Sequence, residues 1–547
     1  MAEAKKQTLD EMQLTIVFAL CAFSFLTWSY LRLNIYVNAD IGWLLTCLER
    51  FLNGGTYAQD FFETNPPLSF LIYLPALGFY KYFNWPIDIC IYLNIVLYIA
   101  LTAALLFRLA KFAALDKNLV TALAISILFT QTWAMGPAFG QKDQLIFLWL
   151  LPLCLLQPLI TERKTLPLMV SIAAAFAGAL AVCLKPYYAL VPTVFFLHRL
   201  YKTRKIGPVI LSPDFLVMLA TGISYMLLIA LLFPDFLFVS LPRLSELYVS
   251  NVWSGSIDPE ITTNMRYIIL PIIASALTTG FIYNKDNMTD FRIAIYTLSG
   301  LSILCIPPYI LQNKGFQYQS LPYLGFGTMA FMLACYAIVF KFLKHSITIS
   351  AFITLSIVTI IMQNGMTGVT GPFLTPREFT QIPFHQKIKE LAWNNIYAFY
   401  TIKPAPNALP YYTGLVNGSS YGELWTFLGL IEKMSLATTS EQKEKIRGQM
   451  LFYTDLLADD MKHFTPSVIA IPQYYNPETY KNERSFYNSL MKSKKFRENM
   501  THYNLEESFT IDEYIYIKGT KRDNNSDMHM TYDLFIMKKD NPLEPLP

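Results

Sequence analysis

Uninterrupted apolar runs near or above ~18 residues recur along this 547-residue chain as far as about residue 363, and then they stop. A run of that length crosses the roughly 30 Å hydrocarbon layer of a bilayer as one helix. The candidate spans are 12–31, 88–107, 118–135, 144–160, 166–184, 187–200, 209–232, 263–282, 292–311, 321–341 and 347–363. Residues 68–84, "LSFLIYLPALGFYKYFN", form a further apolar stretch. Composition agrees: 15% of residues are charged, where a soluble chain carries roughly a quarter. The pattern predicts a polytopic α-helical membrane protein of about 11 spans, with a polar C-terminal α/β domain. The start, "MAEAKKQTLDEM", precedes the first run without a small-residue cleavage site, so it reads as a first anchor and not a removed signal. A net charge of +4 argues against nucleic acid as a partner. The seven cysteines lie in or beside apolar segments without any CxxC spacing and read as small core residues.

Orientation follows from the cations. They cluster at Lys5/Lys6, Arg108/Lys111/Lys117, Arg163/Lys164, Arg199/Lys202/Arg204/Lys205, Lys285/Arg292 and Lys341/Lys344. The positive-inside bias places all of these in the cytoplasm, which works only if 68–84 does not cross. The N-terminus is then inside and the C-terminal domain outside. The division expected is 1–364 as the membrane module, with an outer loop 32–87 bearing surface helices, and 365–547 as an extracytoplasmic soluble domain.

On that topology Lys142, Lys185 and Lys314 are isolated cations on the outer side, each beside aromatic or amide residues at a helix end. Singly, each reads as a lysine snorkelling at the interface. Three of them on a face that also carries acids read better as an anion-handling site. The outer loop opens with "NADIGWLLTCLERFLNGGTYAQDFFETNPPLSF", residues 38–70. Ile41, Leu44, Leu45, Leu48, Phe51 and Leu52 have helical spacing, with Asn53-Gly54-Gly55 as the stop. Asp40 stands where an N-cap belongs, and a cap carboxylate can keep a lone pair for other work. A second helix is expected from Asn65 as cap, with proline at its first position. Asp60 and Glu63 lie in a short aromatic segment, too polar to be core, and read locally as solvated loop carboxylates.

At this point the residues resemble a known family, the GT-C superfamily of integral-membrane glycosyltransferases. Its members take sugars from polyprenyl-phosphate carriers and include protein O-mannosyltransferases, lipid A aminoarabinose transferases and the catalytic subunit of oligosaccharyltransferase. The resemblance covers roughly the first 325 residues in layout and rests on "GGTYAQDFFETNPPL", "FGQKDQL", "LKPYYALVP" and "QNKGFQYQSLP" in that order. It implies an inverting transferase in a bacterial membrane, moving a sugar from a polyprenyl-phosphate donor to an envelope glycan, lipid or protein acceptor. It implies Asp40 as general base and Asp143 as a second acid. Lys142, Lys185 and Lys314 would hold the donor phosphate, with hydroxyls from Tyr187 and Tyr318. Asp60 and Glu63 would bind sugar or acceptor hydroxyls, or a divalent cation if one is used; no cofactor is otherwise implied. Gln144 and Gln319 stand where that branch often carries histidine, which weakens the case for a histidine-held metal.

Other chemistries lack their signatures: there is no GxxxxGK[ST], GxSxG or HExxH. The competing class is a transporter or flippase for a polyprenyl lipid or glycolipid. Transporters place ionisable groups within their spans and often repeat internally, and neither feature is evident here. In the C-terminal third, 395–402, 467–473, 513–519 and 532–538 read as strands, and the stretches beginning at Ser420, Thr438 and Glu478 as helices. Asp455, Asp459 and Asp460 read as lining a helix face.

Overall fold

The computed structural model describes residues 2–161, 166–247, 269–282, 288–312, 317–343, 346–351, 353–356, 374–392, 395–398, 407–422, 430, 433–434, 437–473, 485–512 and 529–544. The chain is mostly helical and divides into two compact units. The first comprises Met1–Leu33, Ile91–Leu228 and Ser256–Thr370, and the second Asn34–Cys90, Ile229–Gly255 and Gly371–Pro547. The loop expected over 32–87 thus falls, for the most part, in the same unit as the C-terminal residues.

Among the described residues, five helical runs are long and apolar enough to cross a membrane: Thr15–Arg32, Ile87–Phe112, Pro213–Leu232, Thr289–Gln312 and Tyr318–Phe342. Shorter apolar helices occupy Leu168–Leu184 and Ile269–Phe281. The expected span over 292–311 is broken at Cys305, ahead of Pro307 and Pro308, into Thr289–Leu304 and Ile306–Gln312. Spans 263–282 and 347–363 lie only partly within the described residues.

Leu321–Phe342 is the hub of the first unit: its apolar window is 89% buried, against 6% for Pro213–Leu232. Small residues let it serve as one, because close backbone approach is what packs helices where there is no water to expel. A Cβ at Gly325 would stand 2.6 Å from the Phe147 ring, and one at Gly327 would stand 3.0 Å from Pro271 and from Ser302 Oγ. Ser302 Oγ donates to the Tyr323 carbonyl at 2.7 Å, a polar tie between neighbouring helices.

In the second unit, 68–84 forms two short helices, Leu68–Leu71 and Leu74–Phe83. Ten residues reach about 15 Å, half a hydrocarbon layer, and Asn84 at φ 52° ends the second helix. The helix expected from Asn65 instead begins at Leu68, with Pro67 at its N-cap. The Asn65 side chain instead donates its Nδ2 hydrogens to the Glu63 carboxylate and the Thr64 hydroxyl.

A mixed sheet of five strands runs β2-β1-β3-β5-β4, with β1 Asn395–Ala398, β2 Val416–Asn417, β3 Val468–Pro472, β4 Tyr503–Asp512 and β5 His529–Met537. β1 pairs parallel with β2 and β3, and β5 antiparallel with β3 and β4. Every residue of β3 is buried, as befits an interior strand. Ile469 and Ile471 share a core with Leu457 and Met461 of helix Ser440–Phe464. A Thr439–Gln442 capping box starts that helix. Three of the expected strands match β1, β3 and β5, while 513–519 lies outside the described residues. β4 was not among the expected strands. It is an edge strand with Asn504 to Ser508 exposed, so it lacks alternation, and Glu506 and Glu507 keep the edge from pairing further.

Candidate functional site

In the first unit a buried charge cluster gathers at the ends of three helices. Lys142 and Asp143 open helix Lys142–Thr161, Lys185 ends Leu168–Leu184 in extended backbone, and Gln312 ends Ile306–Gln312. Lys185 Nζ donates to both Asp143 carboxylate oxygens, at 2.7 and 2.9 Å, and to Gln312 Oε1 at 2.8 Å. Asp143 is 0% exposed and Lys185 2%, so each needs the other: an uncompensated charge at that depth costs several kcal/mol. The two residues read from sequence as separate participants are therefore one ion pair.

Lys142 is different. It is 5% exposed, and among the described residues its recorded contact is the ring of Tyr318, 5.6 Å from the ammonium. Lys185 lies over the same ring at 5.7 Å, so Tyr318 offers its π face to both cations and not only a hydroxyl. Among the described residues, two ammonium groups against one carboxylate leave the cluster with an excess positive charge on Lys142. Around it lie buried amide and hydroxyl atoms without hydrogen-bond partners among the described residues: Gln131 Nε2, Gln141 Oε1, Gln319 Oε1 and Tyr188 Oη. Gln144 donates to the backbone and side-chain oxygens of Gln131, both at 3.1 Å, which holds that amide in place. Tyr187 and Tyr188 lie in the turn Pro186–Ala189 that follows Lys185, the first exposed and the second buried. Lys314 lies outside the described residues.

The carboxylates of the outer loop belong to the second unit. Asp40 is not the N-cap of its helix. Asn38 takes that place, in extended backbone at φ −57° and ψ 143°, and its side chain accepts the Asp40 N–H at 2.9 Å. Asp40 lies inside the first turn and half-buried, so its carboxylate has no capping duty and benefits from the positive end of the helix. Asp60 accepts from the Thr56 N–H at 2.7 Å and lies 3.1 Å from His463 Nε2. Glu63 is 5% exposed and accepts from the backbone of Asn65 at 2.8 Å and from its side-chain amide. Both carboxylates are thus engaged in holding the loop. Among the described residues no three His, Cys, Asp or Glu side chains converge as a metal set.

Arg50 was not singled out by sequence reasoning, and it organises this loop. Its guanidinium donates to the Asp60 carbonyl at 2.6 Å and to the Ser419 and Asn417 carbonyls, and it lies 4.3 Å from the Phe464 ring centroid. Asp460, expected to line a helix face, is 6% exposed and accepts from the Ser420 N–H and the Ser419 hydroxyl. The missed residues of the first unit are amides: Gln131, Gln141 and Gln312. Their one sequence signal is an uncharged hydrogen-bonding group in an apolar run, which is hardly more than a hint.

No family model matches the chain, and no curated protein does. Among solved structures it is similar to ArnT from Cupriavidus metallidurans in the apo state, at 13% identity and TM-score 0.39, over 95% of this chain and 97% of that one. It is similar at 13% identity and TM-score 0.38, over the same shares, to ArnT from the same organism bound to undecaprenyl phosphate. A TM-score below 0.5 does not establish a shared fold, so the functional reading rests on this chain's own residues.

Proposed function

We propose that this chain is a membrane glycosyltransferase that takes a sugar from a polyprenyl-phosphate carrier at the outer face of an eleven-span body. The observation that carries this reading is Lys142, a buried ammonium with no carboxylate of its own among the described residues, beside the balanced Asp143–Lys185 pair. A sugar phosphodiester bears one negative charge, and its phosphate gains a second as the sugar leaves. A fixed cation beside donor phenols is suited to charge that develops in this way. The apolar helices supply surroundings for the prenyl chain that a nucleotide donor would not need.

In this reading the acceptor hydroxyl gives its proton to a carboxylate, and its oxygen attacks the anomeric carbon. The bond from that carbon to the phosphate oxygen breaks, and polyprenyl phosphate departs with the electron pair. Attack opposite the phosphate inverts the centre. Asp40 is the proposed base, on the ground that it opens the outer loop and carries no capping duty. Asp143 acts through Lys185, holding it in position, and Gln131 Nε2, Gln141 Oε1 and Gln319 Oε1, which lack hydrogen-bond partners among the described residues, are candidates for sugar hydroxyls. Asp60 and Glu63 are positioning residues for the loop in this scheme.

The test is binding of a polyprenyl phosphate to the purified full-length protein. Lys142→Ala should weaken it by roughly 10- to 100-fold, the value of a hydrogen bond to a charged group. Lys202→Ala, an exposed cation elsewhere in the same unit, should leave it unchanged. Equal binding by wild type and Lys142→Ala, or transfer from a soluble nucleotide sugar with no lipid carrier, would overturn the assignment.

A further inference from the structure

An apolar groove of the first unit lies away from the charge cluster. It is a cavity of about 240 Å³ walled by helices Ile87–Phe112 and Lys117–Gln131 and floored by Leu155, Pro158 and Ile293. Ile99, Ala103 and Ala110 line it from one helix, and Leu119, Leu123 and Ile127 from the other. From Ile99 to Ala110 is about 16 Å along the helix axis, close to the half-thickness of a hydrocarbon layer. The groove therefore has the depth of one leaflet and begins at the turn that joins the two helices.

That turn is basic. Arg108, Lys111 and Lys117 flank it, all exposed, and Arg292 stands one residue from the floor. Two carboxylates share this end. Asp116 is spent on capping the second helix, accepting from the Asn118 and Leu119 N–H groups, and Asp290 lies on the groove wall. Among the described residues, four cations against two carboxylates leave the mouth positive, while the walls are apolar.

We infer that this groove is a binding site for an anionic phospholipid, with an acyl chain between the two helices and its phosphate on Arg108, Lys111 and Lys117. Charge complementarity selects the occupant. A zwitterionic lipid would bring no net charge to meet the cations, and a soluble anion would leave the apolar walls uncovered. The bias that places such clusters in the cytoplasm assigns the lipid to the inner leaflet, which is also where anionic headgroups attract juxtamembrane lysine and arginine.

The experiment is native mass spectrometry of the full-length protein in detergent, titrated separately with phosphatidylglycerol, phosphatidylethanolamine, phosphatidylcholine and a polyprenyl phosphate. One phosphatidylglycerol should be retained in preference to the two zwitterionic lipids. The Arg108→Gln/Lys111→Gln/Lys117→Gln variant should lose that retention on the order of a hundredfold at low salt. These side chains are exposed, so folding should survive the change. Ala103→Trp, which fills the groove and keeps its cations, should lose retention as well. Equal retention of charged and zwitterionic lipids would overturn the inference, as would an unaffected Ala103→Trp variant. Displacement of the phospholipid by polyprenyl phosphate would overturn it too, without touching the Lys142 test.

Discussion

At the scale of single residues, Asp40 and His385 make opposite kinds of demand. Asp40 sits in a helix whose cap is another residue, so its replacement can be conservative. Asp40→Asn should lower turnover by roughly 10²–10⁴-fold, the usual contribution of a general base. It should leave the thermal midpoint nearly unchanged, and near-normal turnover would remove Asp40 from the chemistry. His385 is fully buried, with Nδ1 donating to the Phe379 carbonyl at 2.8 Å. Burial lowers its pKa from 6.5 to about 4, with the hydrogen bond opposing. A base with a depressed pKa stays neutral in the folded state while the unfolded chain takes up a proton. Its contribution is therefore whole above about pH 6.5 and is lost progressively as the pH falls toward 4. The loss amounts to about 3 kcal/mol at the acid end. Thermal melts of the full-length protein should show a midpoint that falls over this window, and less steeply in His385→Gln.

Elements in the second unit are joined by glycines and one arginine. Helix Ala39–Leu52 lies so near the backbone of Asn407 and Ala408 that a Cβ at Gly42 would stand 2.7 Å from it. Backbone cannot rotate away as a side chain can, so Gly42→Ala should destabilise by about 1–3 kcal/mol. Gly448, within helix Ser440–Phe464, has open space at its Cβ position. Gly448→Ala should stabilise by up to about 1 kcal/mol, because alanine loses less entropy in a helix. Melts of the two variants should move in opposite directions, and a neutral Gly42→Ala would mean that the close approach is not part of the fold. The same element scale explains why β4 escapes sequence reading. A solvated edge strand is specified by its partner β5, not by alternation within its own residues.

For the whole molecule the question is which side faces out. Cysteines introduced at Asn53 and Asp116, both in exposed turns, should differ in intact cells, with an impermeant thiol reagent reaching only position 53. Background should be low, since six native cysteines are buried and Cys21 is half-buried in an apolar helix. Labelling at position 116 alone would reverse the orientation and, with it, the outward-facing reaction.

What the sequence determined by itself is local. Long apolar runs dictate helices because every backbone N–H in hydrocarbon must be bonded within its own segment, and helix Lys142–Thr161 follows its expected span to within two residues at each end. Likewise the stop at Asn53-Gly54-Gly55 is realised by Gly54 at φ +88°, a conformation glycine adopts without strain. The tertiary structure decided the pairings. Hydropathy places Lys185 at the end of an apolar run, but only the structure shows that it is buried and which carboxylate compensates it. Asp143, 42 residues away, and Gln312, 127 residues away, are selected only when three helix ends meet. In the second unit the outer loop and the C-terminal residues share one compact body because Arg50 is satisfied by carbonyls 367 and 369 residues further on. Local periodicity records which face of an element is apolar. It carries no record of which distant carbonyl or carboxylate will satisfy a buried charge, since that depends on packing geometry and not on neighbours along the chain.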